Sequence, residues 1–210
     1  MTIREDFGTG LVTEVDLEEV LYNQRTRFHD VLIAMTRPFG KGVFMDGNGQ
    51  SFECDEGVYH AALVHPAMMM HENPRRVLIG GGGEGATLRE VLRHESVELV
   101  RMIDIDEEAV AAFREHLPEW HEGAFDDPRA DVRFGDLRAA LQEHDEDPYD
   151  VAIMDLGDPV QGGPSVPIYT KEFFALLRSV LAPGAIIGMQ AGELHHGATE
   201  NYRSLRSTVA

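Results

Sequence analysis

Val77-Leu78-Ile79, Gly80-Gly81-Gly82-Gly83-Glu84-Gly85 and Ala86-Thr87-Leu88-Arg89-Glu90 follow one another without interruption near the middle of this chain. An apolar β run, a glycine-rich loop and a helical run in that order form the opening unit of a nucleotide-binding sheet. Glycines let backbone approach a bulky ligand, and the helix start behind them offers unpaired N–H groups. Glu84 narrows the choice. A carboxylate in such a loop repels a pyrophosphate and attracts an ammonium, so the expected ligand is nucleoside-like with a cationic tail rather than a dinucleotide.

Downstream of this unit the chain alternates buried strands with amphipathic helices. Strands are expected at Val77–Ile79, Val97–Ile103, Val132–Phe134, Val151–Met154 and Ala185–Met189. Helices are expected near Thr87–His94, Glu107–His116, Leu137–Glu143 and Lys171–Leu181, with a last one carrying Tyr202, Leu205 and Val209. That rhythm predicts an α/β fold with a doubly wound, Rossmann-like parallel sheet of the methyltransferase type. Upstream the pattern differs. Gly10-Leu11-Val12, Val31–Met35, Gly42–Met45 and Gln50–Phe52 are short β runs, and Asp46-Gly47-Asn48-Gly49 is a turn signal between the last two. The expected division is a small antiparallel β module over 1–54 and a Rossmann-like catalytic domain over 55–210. A helix from Asp55 to His71, capped by Asp55, joins them.

The 210 residues suffice for such a core without disulfides, and Cys54 is the only cysteine. The net charge is -19, from 18 basic and 37 acidic residues. Only Lys41 and Lys171 are lysines. This balance excludes a phosphate-gripping basic face, so no nucleic-acid partner is expected. It suits cationic small molecules, or a salt-adapted surface. No apolar run has the length of a membrane span and the N-terminus has no apolar signal core, so a cytoplasmic protein is expected.

In doubly wound sheets, ligands sit at the carboxyl ends of the strands. Acids follow four successive strands there: Glu84, then Asp104, then Asp136, then Asp155 with Asp158. Asp104 stands about twenty residues beyond the glycine loop, the usual place for a carboxylate that grips ribose hydroxyls. Simpler readings exist for some of them. Asp104 and Asp106 suit caps for the Glu107 helix, Asp136 suits a cap for the Leu137 helix, and Asp158 suits a turn before Pro159. Asp155 is harder to explain by structure alone. Directly after Val151-Ala152-Ile153-Met154, its carboxylate needs a cation or hydrogen-bond donors.

These stretches resemble the polyamine aminopropyltransferases, the spermidine synthase family. The resemblance is carried by Gly81-Gly82-Gly83-Glu84-Gly85 with Leu88-Arg89-Glu90-Val91-Leu92, and by Asp104-Ile105-Asp106. Phe125-Asp126-Asp127-Pro128-Arg129, Gly135-Asp136 and Asp155-Leu156-Gly157-Asp158-Pro159-Val160 extend it, as do Asp55-Glu56 and Tyr59-His60. Glu84, and Gly162-Gly163-Pro164 ahead of Tyr169-Thr170-Lys171, look most like the thermospermine and agmatine/triamine branch. The resemblance implies transfer of an aminopropyl group from decarboxylated S-adenosylmethionine to putrescine, agmatine or spermidine, with release of methylthioadenosine. The donor is a co-substrate, and no cofactor or metal is implied. Glu84 would bind the donor's ammonium, Asp104 its ribose, and Asp136 with the Leu137 N–H its adenine; Gly81 and Gly83 line the same pocket. His29 stands where relatives carry a glutamine near the donor. Asp155 would be the base and Tyr59 would orient the amine. Gln50, His60, Glu84, Asp155 and Asp158 would hold the acceptor, and Gln190 would form a wall.

Family members assemble as homodimers or homotetramers, partly through the N-terminal sheet, so one of these is expected. They also continue past the position of Ala210, so the usual C-terminal strands are expected to be lacking. Two other readings stay open. One is a catalytically silent relative that binds nucleoside or polyamine; the other is an S-adenosylmethionine-dependent methyltransferase, against which Glu84 and Asp155/Asp158 argue. A nicotinamide dehydrogenase fits Gly80, Gly82 and Gly85 as G-x-G-x-x-G, but Glu84 opposes its pyrophosphate. The remaining histidines, His195-His196 among them, read as surface or packing residues.

Overall fold

The structure is a computed structural model and describes residues 1–6, 10–157, 166–190 and 200–209. Two five-stranded sheets organise it. The first is an antiparallel meander of β1 (Thr2–Asp6), β2 (Val12–Arg25), β3 (Asp30–Thr36), β4 (Gly40–Met45) and β5 (Asn48–Phe52), paired in chain order. Helix α1 (Glu56–Met70) follows, then β6 (Arg76–Gly81), α2 (Ala86–Leu92), β7 (Leu99–Asp104), α3 (Glu107–His116), α4 (Pro118–His121) and β8 (Ala130–Phe134). The chain continues through α5 (Leu137–Gln142), β9 (Tyr149–Asp155), α6 (Lys171–Ser179), β10 (Leu181–Met189) and α7 (Glu200–Val209).

β6 to β10 form a wholly parallel sheet in the order β10-β9-β6-β7-β8. Its centre is dictated by sequence. Val77, Leu78 and Ile79 of β6 are fully buried, with both faces covered by helices, which is why the strand reads as a continuous apolar run rather than an alternation. One face packs against α1 and α2 through Val64, Met68, Leu88 and Val91; the other packs against α5 and α6 through Leu137, Leu141, Phe173 and Leu177. Each such side chain contributes about 1.5–3 kcal/mol relative to exposure. Strand order reverses between β6 and β9, and this switch point opens a crevice at their carboxyl ends.

The antiparallel sheet is tied to the parallel one. Val31, Ile33 and Val43 share a buried cluster with Ala109, Phe113, Leu117 and Trp120. At the turn between β2 and β3, the Thr26 hydroxyl donates to Asp106 Oδ2 at 2.5 Å. The Asp106 Oδ1 caps α3 by accepting from the Ala109 N–H.

The small sheet is larger than its sequence suggests. β1 was not foreseen, and β2 runs fourteen residues where only its first was expected in a strand. Asp55 does sit at the N-cap of α1, but its side chain makes no capping bond; its carbonyl instead accepts from the Val58 and Tyr59 N–H groups. No helix among the described residues is long and apolar enough to cross a membrane.

Candidate active site

The glycine loop is built against the end of β9. Gly81 has φ +77°, and a Cβ placed there would lie 2.2 Å from the Asp155 carbonyl oxygen, so no side chain fits. The next N–H, that of Gly82, donates to the same carbonyl at 3.0 Å. At Gly83 the hindrance comes from the neighbouring strand: a Cβ would meet Asp104 Oδ2 at 2.9 Å. The loop is therefore packed directly against the backbone of the base candidate and the carboxylate of the ribose-acid candidate.

Among the described residues Asp155 receives donors rather than a cation. Thr87 Oγ1, in the first turn of α2, donates to Oδ2 at 2.6 Å, and the Tyr59 hydroxyl of α1 donates to Oδ1 at 3.4 Å. Burial, with the charges of Asp155 and Glu84, pushes the Tyr59 phenol well above its ordinary value, so it stays a donor. Its ring remains partly exposed to the crevice.

Glu84 lies across from this pair. Burial raises its carboxyl to about 7; the His60 charge opposes the rise, and Asp155 and Glu56 add to it. The buried Ser51 hydroxyl of β5 lies beside Glu84 and favours its anion without reaching full hydrogen-bond geometry. His60 Nε2 is 3.7 Å from Glu84 Oε2. On the other side of the ring, His60 Nδ1 donates to the Glu56 carbonyl at 2.7 Å and faces its carboxylate at 3.2 Å. Burial works against a charged His60, but the Glu56 hydrogen bond and the Asp155 and Glu84 charges outweigh it and hold the imidazolium up to about 8.

Asp104 is raised to about 6, by burial first; the Asp106 N–H, bonded at 2.9 Å, opposes this, while the Asp106 charge adds to it. The nearby His29 favours its anion. His29 itself is oriented by the small sheet: its Nδ1 is 2.8 Å from Asp46 Oδ2, and the His29 N–H is held by Thr26 Oγ1. Asp136 caps α5 through the Ala139 N–H, as its simpler reading anticipates, and stays exposed at the rim; Leu137 behind it is buried.

Glu84, His60, Tyr59, Asp155, Asp104, Gly81 and Gly83 thus converge on the crevice. Gln50 is exposed, and its amide donates to the Asn48 carbonyl within its own turn at 3.3 Å. Gln190 follows β10 and donates to the Leu156 carbonyl at 2.8 Å, joining the ends of β9 and β10. Asp158 lies outside the described residues, as do Pro159, Gly162 to Pro164 and His195-His196. Sequence reasoning overlooked Thr87, Asp46, Ser51 and the Glu56–Arg89 pair. Thr87 stood in the quoted helical run, one residue past its start, where a hydroxyl can reach an adjacent strand end.

Residues 56–208 match the spermine/spermidine synthase domain, and residues 2–53 match the spermidine synthase tetramerisation domain. The chain belongs to the spermidine synthase family. Among similar members are the polyamine aminopropyltransferase of Aeropyrum pernix, 47% identical across 92% of this chain and 62% of its own length, and polyamine aminopropyltransferase 2 of Pseudomonas aeruginosa, 48% identical across 96% and 61%. The chain thus spans about three fifths of the length of these relatives. A solved spermidine synthase of the family, in complex with the transition-state analogue AdoDATO, superposes with a TM-score of 0.93 at 28% identity, covering 100% of this chain and 70% of that one. The spermidine synthase of Thermotoga maritima gives 0.90 at 27% identity, covering 100% and 69%.

Proposed function

We propose that this chain carries out aminopropyl transfer: the nitrogen of a polyamine attacks the aminopropyl carbon next to the sulfonium of decarboxylated S-adenosylmethionine. The observation that carries the reading is Asp155, held by Tyr59 and Thr87 at the switch point, with Glu84 and Asp104 across the crevice and no arginine or lysine paired to any of these three acids among the described residues. Such a crevice favours a ligand that brings positive charge of its own. A pyrophosphate would be repelled.

The acceptor amine arrives protonated, with a reference pKa near 10.4 for an alkylammonium. It has no lone pair until a base removes the proton. Asp155 takes that role, and the neutral Tyr59 hydroxyl, a donor beside it, orients the amine. The lone pair then forms the C–N bond, the C–S electrons return to sulfur, and the sulfonium leaves as the neutral thioether of methylthioadenosine. Proton removal of this kind is worth about a hundred- to ten-thousand-fold, and alignment adds more. Glu84 holds the donor's ammonium, while Asp104 and His29 hold its ribose end, with Asp136 and the Leu137 N–H at the adenine. Gln50 and Asp158 hold the acceptor, whereas His60, buried with its ring nitrogens facing Glu56 and Glu84, bears on it only through Glu84. The donor is consumed as a co-substrate. The activity by which the relatives are named, and the analogue bound by the solved neighbour, support this substrate class.

The match of residues 2–53 to a tetramerisation domain supports assembly of several copies through the antiparallel sheet, as a homotetramer or homodimer. Incubation with the decarboxylated donor and putrescine, agmatine or spermidine, followed by mass detection, tests the reaction. A product heavier by one aminopropyl unit is expected. Methyl transfer from ordinary S-adenosylmethionine, or donor binding with no product from any amine, would overturn the reading.

A further inference from the structure

Behind the crevice a row of charges alternates in sign from the surface of α2 to Glu84. Arg93 Nη1 is 2.9 Å from Glu90, Glu90 Oε1 is 2.9 Å from Arg89 Nε, and Arg89 Nη2 is 3.1 Å from Glu56 Oε2. Glu56 Oε2 then faces His60 Nδ1 at 3.2 Å, and His60 Nε2 faces Glu84 at 3.7 Å. The inner members are withdrawn from water, with side-chain exposures of 13% at Glu56, 3% at His60, 7% at Arg89 and 1% at Glu90. Burying four charges to join two helices is a poor route to stability, since apolar residues of the same volume commonly serve as well or better.

The His60 ring fixes a proton count. A carbonyl oxygen can only accept, so the 2.7 Å contact with the Glu56 carbonyl requires a hydrogen on Nδ1. A neutral His60 would then aim the Nε2 lone pair at the Glu84 carboxylate, which is repulsive. One proton must therefore reside on this contact, on Nε2 or on Glu84. On Nε2, it leaves Glu84 an anion able to hold an ammonium. On Glu84, it leaves a neutral acid that cannot.

We propose that Glu56 and Arg89 are positioning residues that decide this proton's location: the Glu56 carboxylate keeps it on His60, and Arg89 sets how strongly. The inference rests on the reading of Glu84 as an ammonium ligand. The groups facing His60 are Glu56 and Tyr59 from α1, Glu84 from the glycine loop and Asp155 from β9. Of these, Glu56 is the anion bonded to the ring edge remote from the crevice. Its own carboxyl lies below the ordinary range, because hydrogen bonds from His60 and Arg89 outweigh the effect of burial.

Two substitutions separate this role from a merely structural ion pair. Glu56→Gln keeps an acceptor toward Nδ1 but removes the charge. Arg89→Met leaves Glu56 charged and less neutralised. The His60 titration is followed by 1H–15N NMR of the imidazole in the free protein, assigned with His60→Asn. Glu56→Gln is expected to lower its midpoint by about one pH unit or more, and Arg89→Met to raise it, because removing an anion and removing that anion's counter-ion act oppositely on a cation. With the decarboxylated donor, Glu56→Gln is expected to raise the Michaelis constant about tenfold at neutral pH while kcat changes about threefold or less, and Glu56→Asp restores both. Midpoints that stay in place, or that move in the same direction in both variants, overturn the proposal. If Glu56→Gln fails to fold, the direction of the Arg89→Met shift decides. The NMR arm needs no turnover, so an inactive protein with opposite shifts would defeat the reaction reading and leave this one standing.

Discussion

The two ends of the parallel sheet treat acidic residues in opposite ways. At the amino ends of β6, β7 and β9, arginines meet them: Arg101 reaches Asp131 at 2.7 Å and Glu146 at 2.8 Å, Arg76 also reaches Glu146, and Arg75 pairs with Glu98. Asp131 lies below the usual carboxylate range because bonds from Arg133 and Arg101 outweigh its burial, and Glu146 lies below it chiefly through Arg101. At the carboxyl ends, Glu84 and Asp104 are raised, by burial above all. One end is neutralised from within the chain. Among the described residues the other end places no arginine or lysine on Glu84, Asp104 or Asp155, with only the His60 ring facing Glu84, and under the proposed function its remaining negative charge costs stability in the free protein and serves to bind a cationic donor.

The sharpest break in this contrast is Asp155→Asn. Under the proposed reaction, kcat should fall by about a hundred- to ten-thousand-fold, with donor affinity nearly unchanged, because the amide oxygen still accepts from Thr87 or Tyr59, though not from both, and the amide cannot take a proton. Mass-detected turnover beside donor titration checks this; weakened donor binding with normal turnover would contradict the assignment.

At the opposite end, Arg101→Met should destabilise by about 2 kcal/mol, below the full cost of breaking a buried pair because Asp131 and Glu146 are partly exposed. A lower denaturant midpoint with unchanged Michaelis constants is expected. A catalytic loss exceeding the loss of folded protein would show that the two ends are not independent.

Asp104→Asn should act in the other direction. The folded-state value, about 6, lies above the ordinary 3.8, so Asp104 favours the native state at low pH and loses that contribution as pH rises through about 6. Above that, the native protein carries a buried anion with no arginine or lysine paired to it among the described residues. The variant should therefore be more stable than the parent at pH 8, by about 1 kcal/mol or roughly 2–4 °C in Tm, with the gap closing toward pH 4. Donor affinity should weaken. A variant that melts lower than the parent at pH 8 would mean that Asp104 is not a strained acid.

Smallest of the four, Arg25→Ala removes an exposed partner of Asp30 and Asp46, and should cost about 0.5 kcal/mol or less. A larger loss, read from the denaturant midpoint, would mean that Arg25 also supports the turn bearing His29.

The carboxyl-end acids were legible because doubly wound sheets place ligand-facing groups at the carboxyl ends of their strands. The parallel strands were legible from buried runs such as Val151 to Met154. In β2 the signal was present but muted. Val15 and Leu17 are buried and alternate with Glu14, Asp16 and Glu18, an acid-rich face that hides a two-residue period. The short α4 begins at Pro118, directly after Leu117, and is too brief to show a helical period. The contact of Arg89 with Glu56 spans 33 positions between two helix faces, and no local pattern encodes such a pairing. His60 could be named from the resemblance, but its burial between two carboxylates depends on packing.

The Thr26–Asp106 hydrogen bond has a bearing on how this architecture can be rearranged. The hydroxyl that positions the His29 turn belongs to one sheet, and the acid that accepts it caps the first helix after β7 in the other. A chimera joined near residue 54 therefore inherits half of a matched pair. Grafting a foreign meander onto this scaffold, whether by recombination in nature or on the bench, has to carry a compatible corner with it, or one rim of the crevice loses its anchor.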